Sequence, residues 1–276
     1  MNAEQPRRPP LDATRVGSTG RWRVEVVESS GSTNADVASR YAEGEDDGLV
    51  LVAEHQRAGR GRLGRGWVSP ARSSLTVSFL LVPPAGVRPE RWGWLPLATG
   101  LAAAAAVRRS AGVEVALKWP NDVLAEDGRK LGGILLERVE RDGTPAAVIG
   151  IGLNCTQSQE ELPVPEATSL ALAGAAGAAA AAGAAGEVDR AALLGALVEE
   201  LDGQLARWAE GEDLRPAYVA RCTTLGRQVR VTVPGGEVLG EAVDVDADGQ
   251  LVVRTDAGEQ HLGAGDVVHV RPAGAS

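Results

Sequence analysis

The chain has 276 residues and a mass of 28.5 kDa, with 44% hydrophobic and 24% charged residues, the balance of an ordinary globular protein with room for one large core and a small satellite domain. A formal net charge of −9 and a pI near 5.0 argue against a general nucleic-acid binder, which carries a basic surface. No run approaches the roughly 18–20 consecutive apolar residues of a membrane span, and Met1 to Arg15 lacks the apolar centre of a secretory signal. Two cysteines make neither a disulfide scaffold nor a four-cysteine zinc site, so the expected compartment is the reducing cytoplasm.

Residues 1–20 are Pro/Arg-rich and unpatterned, which predicts a disordered tail. Arg21 to Glu28 predicts a strand, because Trp22, Val24 and Val26 alternate with Arg23 and Glu25. Ser32-Thr33-Asn34 suits a helix start, and Val37, Ala38, Tyr41 and Ala42 supply one helical face. Leu49 to Glu54 reads as a buried strand, and His55 to Ala71 as a Gly/Arg-rich loop. Leu75, Val77, Phe79 and Leu81 mark the next strand, which Pro83-Pro84 ends. Trp94 to Arg109 is an Ala-rich helix. Val113 to Lys118, Leu131 to Val139 and Ala146 to Leu153 follow as strands. Ala171 to Gly186 is low-complexity Ala/Gly, read as a loop or frayed helix. Ala191 to Ala209 is an amphipathic helix, with Leu194, Leu197, Val198, Leu201, Leu205 and Trp208 at helical spacing. Leu214 to Cys222 looks like a shorter helix. Short strands and turns then suggest a small barrel, with a boundary near 222–226. The organisation expected is a tail over 1–20, a main domain over 21–222 and a small domain over 223–276.

Only two of the 28 basic residues are lysines, Lys118 and Lys130. Chance places two residues this close about one time in ten; the functional alternative is that a compact ammonium is required at both places. The loop from Gln56 to Trp67 interleaves four arginines with four glycines. Glycines let backbone amides approach an anion, arginines clamp carboxylates and phosphates, and so mobile a loop suits a lid without fixed order before ligand arrives. The plain alternative is a solvated basic loop. The loop is neither a Walker A nor a dinucleotide fingerprint. Lys118-Trp119-Pro120-Asn121-Asp122 gathers a cation, an aromatic, an amide and a carboxylate at a strand end, and reads otherwise as a capped turn. Lys130-Leu131-Gly132-Gly133 and Gly150-Ile151-Gly152-Leu153-Asn154 put small residues where a flat ligand could lie against backbone, or where a strand bulges. Cys155 reads as inert packing rather than a nucleophile, and His261 and His269 as surface residues of the small domain.

Taken in order and spacing, Ser32-Thr33-Asn34, the Gly/Arg loop, Lys118 to Asp122, Lys130 to Leu135 and Gly150 to Asn154 resemble the biotin protein ligase family. The resemblance implies an α+β fold: a mixed β-sheet packed by helices, related to class II aminoacyl-tRNA synthetases and lipoate ligases, with a small C-terminal SH3-like β-barrel. It implies the monofunctional type, without the N-terminal DNA-binding domain of the repressor members. It implies that biotin and ATP, with Mg2+, give biotinyl-5′-AMP, and that a lysine of a biotin carboxyl carrier protein then takes the biotinyl group. Carried over residue by residue, Ser32, Thr33, Asn34, Gln56, Gly59, Arg60, Gly61, Arg62, Lys130, Gly132 and Gly150 would hold biotin. Arg62, Arg65, Trp67, Lys118, Asn121, Lys130 and Asn154 would hold ATP, with Trp67 covering the adenine. Lys130, Arg62 and Arg60 would carry catalysis, and Asp122 would lie near magnesium.

The partner implied is the carrier domain of an acyl-CoA carboxylase; specific DNA binding and membrane attachment are not expected, and the chain would be a monomer or weak homodimer. The competing readings are a lipoyl or octanoyl ligase or transferase of the same superfamily, and a non-enzymatic biotin-responsive regulator. The Gly-Arg-Gly-Arg loop disfavours the first, and the acidic balance the second.

Overall fold

A computed structural model describes residues 8–16, 20–174 and 188–270. The body is a seven-stranded sheet in the order β1-β2-β5-β9-β8-β7-β6. Its strands are β1 (Arg23–Val27), β2 (Leu49–Ala53), β5 (Ser74–Leu81), β6 (Val115–Lys118), β7 (Asp122–Ala125), β8 (Lys130–Arg141) and β9 (Thr144–Asn154). Two short strands, β3 (Gly59–Arg60) and β4 (Gly66–Trp67), form a hairpin within the Gly/Arg loop. Only the β1–β2 pair is parallel.

Helices cover both faces of the sheet. Helix α1 (Thr33–Ala42) packs Val37 and Tyr41 against Leu49, Leu51, Leu80 and Val148. On the other face lie α2 (Trp94–Ala111) and α3 (Arg190–Ala209), over Val50, Val52, Leu75, Val77 and Phe79. Double coverage explains why β2 is a continuous apolar run, buried at every position. In β5 the apolar residues of the alternation face α2 and α3, while Ser78 of the other set reaches the start of α1. Asp189 caps α3 by accepting from the amides of Ala191 and Ala192.

The small domain follows α4 (Arg215–Val219). Strands β10 (Gln228–Val233), β11 (Gly236–Val245), β12 (Leu251–Thr255), β13 (Gly258–Leu262) and β14 (Asp266–His269) form an antiparallel sheet in the order β13-β12-β11-β10-β14. Two tryptophans pin it to the body: Trp94 Nε1 donates to Ala247 O at 2.9 Å and Trp119 Nε1 to Gly249 O at 3.1 Å. Gly93 makes that approach possible, since a Cβ there would stand 2.2 Å from Asp248 O.

Several expectations need correction. Within the tail expected to be disordered, residues 8–16 are packed: Leu11 and Val16 are buried, and Arg190 Nη2 donates to Pro9 O at 2.8 Å. A Pro/Arg-rich composition hides how well two apolar residues can dock. Ala42 is exposed, so the buried face of α1 is narrower than its apolar spacing. Helix α4 is shorter than Leu214 to Cys222 because the chain beyond it pairs with β6: Leu117 N donates to Arg221 O and Thr223 N to Leu117 O, both at 2.8 Å. Strand β7 was not anticipated. The Ala/Gly tract lies outside the described residues beyond Gly174.

Candidate active site

A cleft opens where the start of α1, the β3–β4 hairpin, the Lys118–Asp122 turn, the glycines of β8 and β9 and the start of β14 converge. It gathers Ser32, Thr33, Asn34, Gln56, Arg60, Gly61, Arg62, Arg65, Trp67, Lys118, Asn121, Asp122, Lys130 and Gly150. Segments far apart in the chain thus meet at one place.

One wall is a neutral hydrogen-bonding cluster at the first turn of α1. Ser32 holds the N-cap position but makes no capping bond. Gln56 serves instead: its Oε1 accepts from Thr33 N at 2.8 Å and from Thr33 Oγ1 at 3.1 Å. Ser78 Oγ lies 2.7 Å from Thr33 Oγ1 and donates to Asn34 Oδ1 at 2.6 Å. Asn34 Nδ2 donates to Leu135 O and to Glu137 Oε2. Gly150 lies beneath Asn34, with no room for a Cβ, which would stand 2.2 Å from Asn34 Oδ1. Buried donors and acceptors fixed in this way suit a polar, uncharged head group.

The second wall is cationic. Register pairs Lys118 with Asp122 across a tight turn that contains a cis Trp119–Pro120 bond. Lys130 begins β8, and its backbone is gripped by the chain after β9: Lys130 N donates to Glu166 O at 2.7 Å and Thr168 N to Lys130 O at 2.8 Å. Its Nζ meets Asp122 Oδ1 at 2.5 Å. Asp122 is therefore the lysine's counter-ion, and among the described residues no three His, Cys, Asp or Glu side chains form a metal-ligand set. Asp122, expected to lie near magnesium, lies in the cleft lining beside Lys130.

The Gly/Arg loop, expected without fixed order, is the hairpin that roofs the cleft. Leu63 and Gly64 turn its tip in left-handed conformation, at φ 56° and 72°. Its arginines end on three different walls. Arg60 Nη2 donates to Glu137 Oε2 at 3.3 Å, Arg62 Nη1 to Asn121 Oδ1 at 3.3 Å, and Arg65 pairs with Asp266 of β14. Burial holds the Arg62 guanidinium below the usual arginine range, opposed by the charges of Asp122 and Asp266. The Trp67 ring rests on β9, where a Cβ on Gly152 would stand 2.6 Å from Trp67 Cε2. Its Nε1 is buried without a partner among the described residues.

Three expected residues lie outside the cleft lining. Asn154 is buried, donating to Thr168 O at 2.9 Å and accepting from Gln157 at 3.0 Å, so it supports the segment that grips Lys130. A Cβ on Gly132 would meet Leu153 and Gly152, and one on Gly59 would meet Trp67 O, so both glycines permit close backbone packing. Sequence reasoning missed Glu137 and Asp266; each is an isolated carboxylate in an unremarkable strand, and only the fold brings an arginine to it. His269 is not a free surface residue. Burial first, then the charges of Lys118 and Arg227, push its imidazole down to about 4. Cys155 is inert packing as expected: it is fully buried, and burial pushes the thiol up to about 12.

Comparison with known proteins agrees with this geometry. The Biotin/lipoate A/B protein ligase family matches residues 26–154, and the biotin protein ligase C-terminal domain matches residues 224–270. The biotin–[acetyl-CoA-carboxylase] ligase of Mycobacterium tuberculosis is 43% identical, over 96% of this chain and 97% of that protein. The enzyme of the same name from Paracoccus denitrificans is 31% identical, over 88% of this chain and 98% of its own. The biotin protein ligase of Aquifex aeolicus, solved with biotin and ATP, superposes with a TM-score of 0.71 at 26% identity, covering 90% of this chain and 98% of that one. Fold and cleft together define a protein-acylating ligase. The chain belongs to the biotin protein ligase family, and its fold is the mixed sheet with an SH3-like C-terminal domain that the motifs implied.

Proposed function

We propose that this protein joins biotin to ATP as biotinyl-5′-AMP and then transfers the biotinyl group to one lysine of a biotin carboxyl carrier domain of an acyl-CoA carboxylase. The observation that carries this reading is the meeting, in one cleft, of an uncharged hydrogen-bonding pocket with a wall of Lys118, Lys130 and Arg62.

In the first step a carboxylate oxygen attacks the α-phosphorus, and the bond to the β-phosphate oxygen breaks, releasing pyrophosphate. Two anions must approach, so cations fixed beforehand lower the barrier. Ser32, Thr33 and Gln56 take the ureido head. Lys130, steadied by Asp122 at 2.5 Å, faces the carboxylate and the α-phosphate, while Lys118 faces the leaving phosphates. Arg62 covers the junction from the lid, and Trp67 covers the base. In the second step the acceptor amine attacks the acyl carbon, the carbon–oxygen bond to phosphate breaks, AMP leaves and the ammonium proton passes to solvent. Magnesium bound to ATP would neutralise the outer phosphates. One lysine-paired carboxylate does not make a resident metal site, so magnesium is read as part of the nucleotide substrate.

The expected working form is a monomer or weak homodimer. Both cysteines are free and buried, which supports a cytoplasmic setting, and no helix among the described residues is long and apolar enough to cross a membrane.

The deciding experiment is ATP–pyrophosphate exchange with biotin, with lipoate and with neither acid. Exchange is expected with biotin alone, and Lys130→Ala is expected to lower it by about 10²- to 10³-fold. Exchange with lipoate alone, or near-wild-type turnover in the variant, would overturn the substrate or the role of Lys130 respectively. Biotinylation of a purified carrier domain, followed by streptavidin blotting, tests the second step.

A further inference from the structure

The lid has little stiffness of its own. Glycines occupy positions 59, 61, 64 and 66 of the hairpin, and Leu63 at its tip is 70% exposed. Besides the Trp67 ring resting on β9, a set of arginine contacts holds the lid over the cleft. Arg60 and Arg62 reach Glu137 and Asn121, which belong to the same body as the substrate pocket. Arg65 forms an ion pair with the small domain, and Asp266 is its partner.

Asp266 is firmly placed. It opens β14, in register with Thr232 of β10. The preceding Gly265 packs so closely that a Cβ would stand 2.4 Å from Val231 Cγ1. Gly265, Asp266 and Val267 also line the cleft, and the charge of Asp266 acts on Arg62 as well as on Arg65. The domain carrying β14 is itself pinned by Trp94 and Trp119.

We infer that Asp266 is a positioning residue: through Arg65 it latches the lid to the small domain and so sets how long the acyl-adenylate stays in the cleft before transfer. This rests on the adenylation reading above. Both partners are partly exposed, at 61% for Arg65 and 38% for Asp266, so the latch is weak enough to open for product release. A pair of this kind corresponds to about a two- to fivefold change in an opening equilibrium.

The test compares wild type, Asp266→Asn, Arg65→Asp and the exchanged pair Arg65→Asp/Asp266→Arg. The readout is intermediate escaping per adenylate formed. Formation is followed as pyrophosphate release, and escape as biotinylation of a bystander protein. An escaped adenylate acylates an exposed lysine: the nitrogen bonds to the acyl carbon, AMP leaves and the amine proton goes to solvent. Asp266→Asn is expected to raise escape per adenylate about two- to fivefold, Arg65→Asp to raise it at least as much, and the exchanged pair to return it towards wild type. Raising salt should increase escape from wild type more than from Asp266→Asn, because the ion pair is screened. Normal adenylate formation with unchanged escape in Asp266→Asn overturns the latch alone, as does an exchanged pair no better than Arg65→Asp. A wild-type protein that forms no biotin-dependent adenylate overturns the reading on which the latch rests.

Discussion

At the scale of single residues, the glycines of the cleft separate what a motif states from what a fold does with it. From sequence, the small residues of β8 and β9 leave room for a flat ligand. In the structure it is protein that lies against them: Asn34 over Gly150, Trp67 over Gly152. A sequence can announce that something approaches a glycine closely; it cannot say what, because the approaching group comes from another part of the chain. Lys130 was legible as a candidate site residue, but its pairing with Asp122, eight residues away, needed the unexpected β7 to bring the two together. Gly152→Ala tests the shelf directly. Its Cβ would fall 2.6 Å from Trp67 Cε2, so the indole must lift. Because the lid contributes little to the core, the thermal midpoint should move only slightly, within about 1 kcal/mol of stability. The KM for ATP should rise by about tenfold or more as the cover over the base is lost. A variant with wild-type exchange kinetics would show that Trp67 plays no part in holding the nucleotide.

At the scale of elements, strands and long helices were legible wherever one local pattern sufficed. The alternation of β5 survives in the fold with its meaning intact, apolar residues facing α2 and α3 and Ser78 facing the pocket. The start of α1 was legible too, yet its cap was not, since Gln56 lies 23 residues from Thr33. Strand β14 was found by pattern while the setting of His269 was missed, because its burial depends on the body packing beside it. That setting has a consequence for stability. The ordinary histidine value of 6.5 falls to about 4 in the folded protein, through burial and then the neighbouring charges of Lys118 and Arg227. The unfolded chain therefore binds a proton that the folded chain refuses. The stability involved is fully present above about pH 6.5 and is lost progressively as the pH falls towards 4. Urea midpoints measured at pH 7 and pH 5 should fall more for wild type than for His269→Gln. Equal falls would mean that the imidazole titrates as freely in the folded protein as in the unfolded one.

At the scale of the whole molecule, the least legible feature is the way the N-terminal segment is tied in. Its composition reads as an unstructured tail, and nothing local contradicts that. The tie is a buried ion pair assembled from three distant segments. Glu54, at the end of β2, and Arg190, at the start of α3, meet at 2.5 Å with side chains only 2% and 7% exposed. Glu54 also accepts from Leu11 N, and Arg190 donates to Pro9 O and Ser74 O. Val16 then lies along α3, where Gly195 leaves space for its carbonyl. Removing one partner of such a pair strands the other charge in the core, a loss of about 3–5 kcal/mol, whereas replacing both by apolar residues is often neutral. Glu54→Ala should therefore lower the unfolding free energy measured in urea by that amount and release residues 8–16 to limited proteolysis. The double variant Glu54→Leu/Arg190→Met should recover much of the stability but not the protection of the N-terminal segment, because Leu11 N loses its acceptor in both variants and Pro9 O also loses its donor in the double one. A loss below about 1 kcal/mol in Glu54→Ala would place the pair among ordinary surface contacts. A double variant that restored protease protection would mean that the docking of Leu11 and Val16, rather than the ion pair, holds the segment against the body.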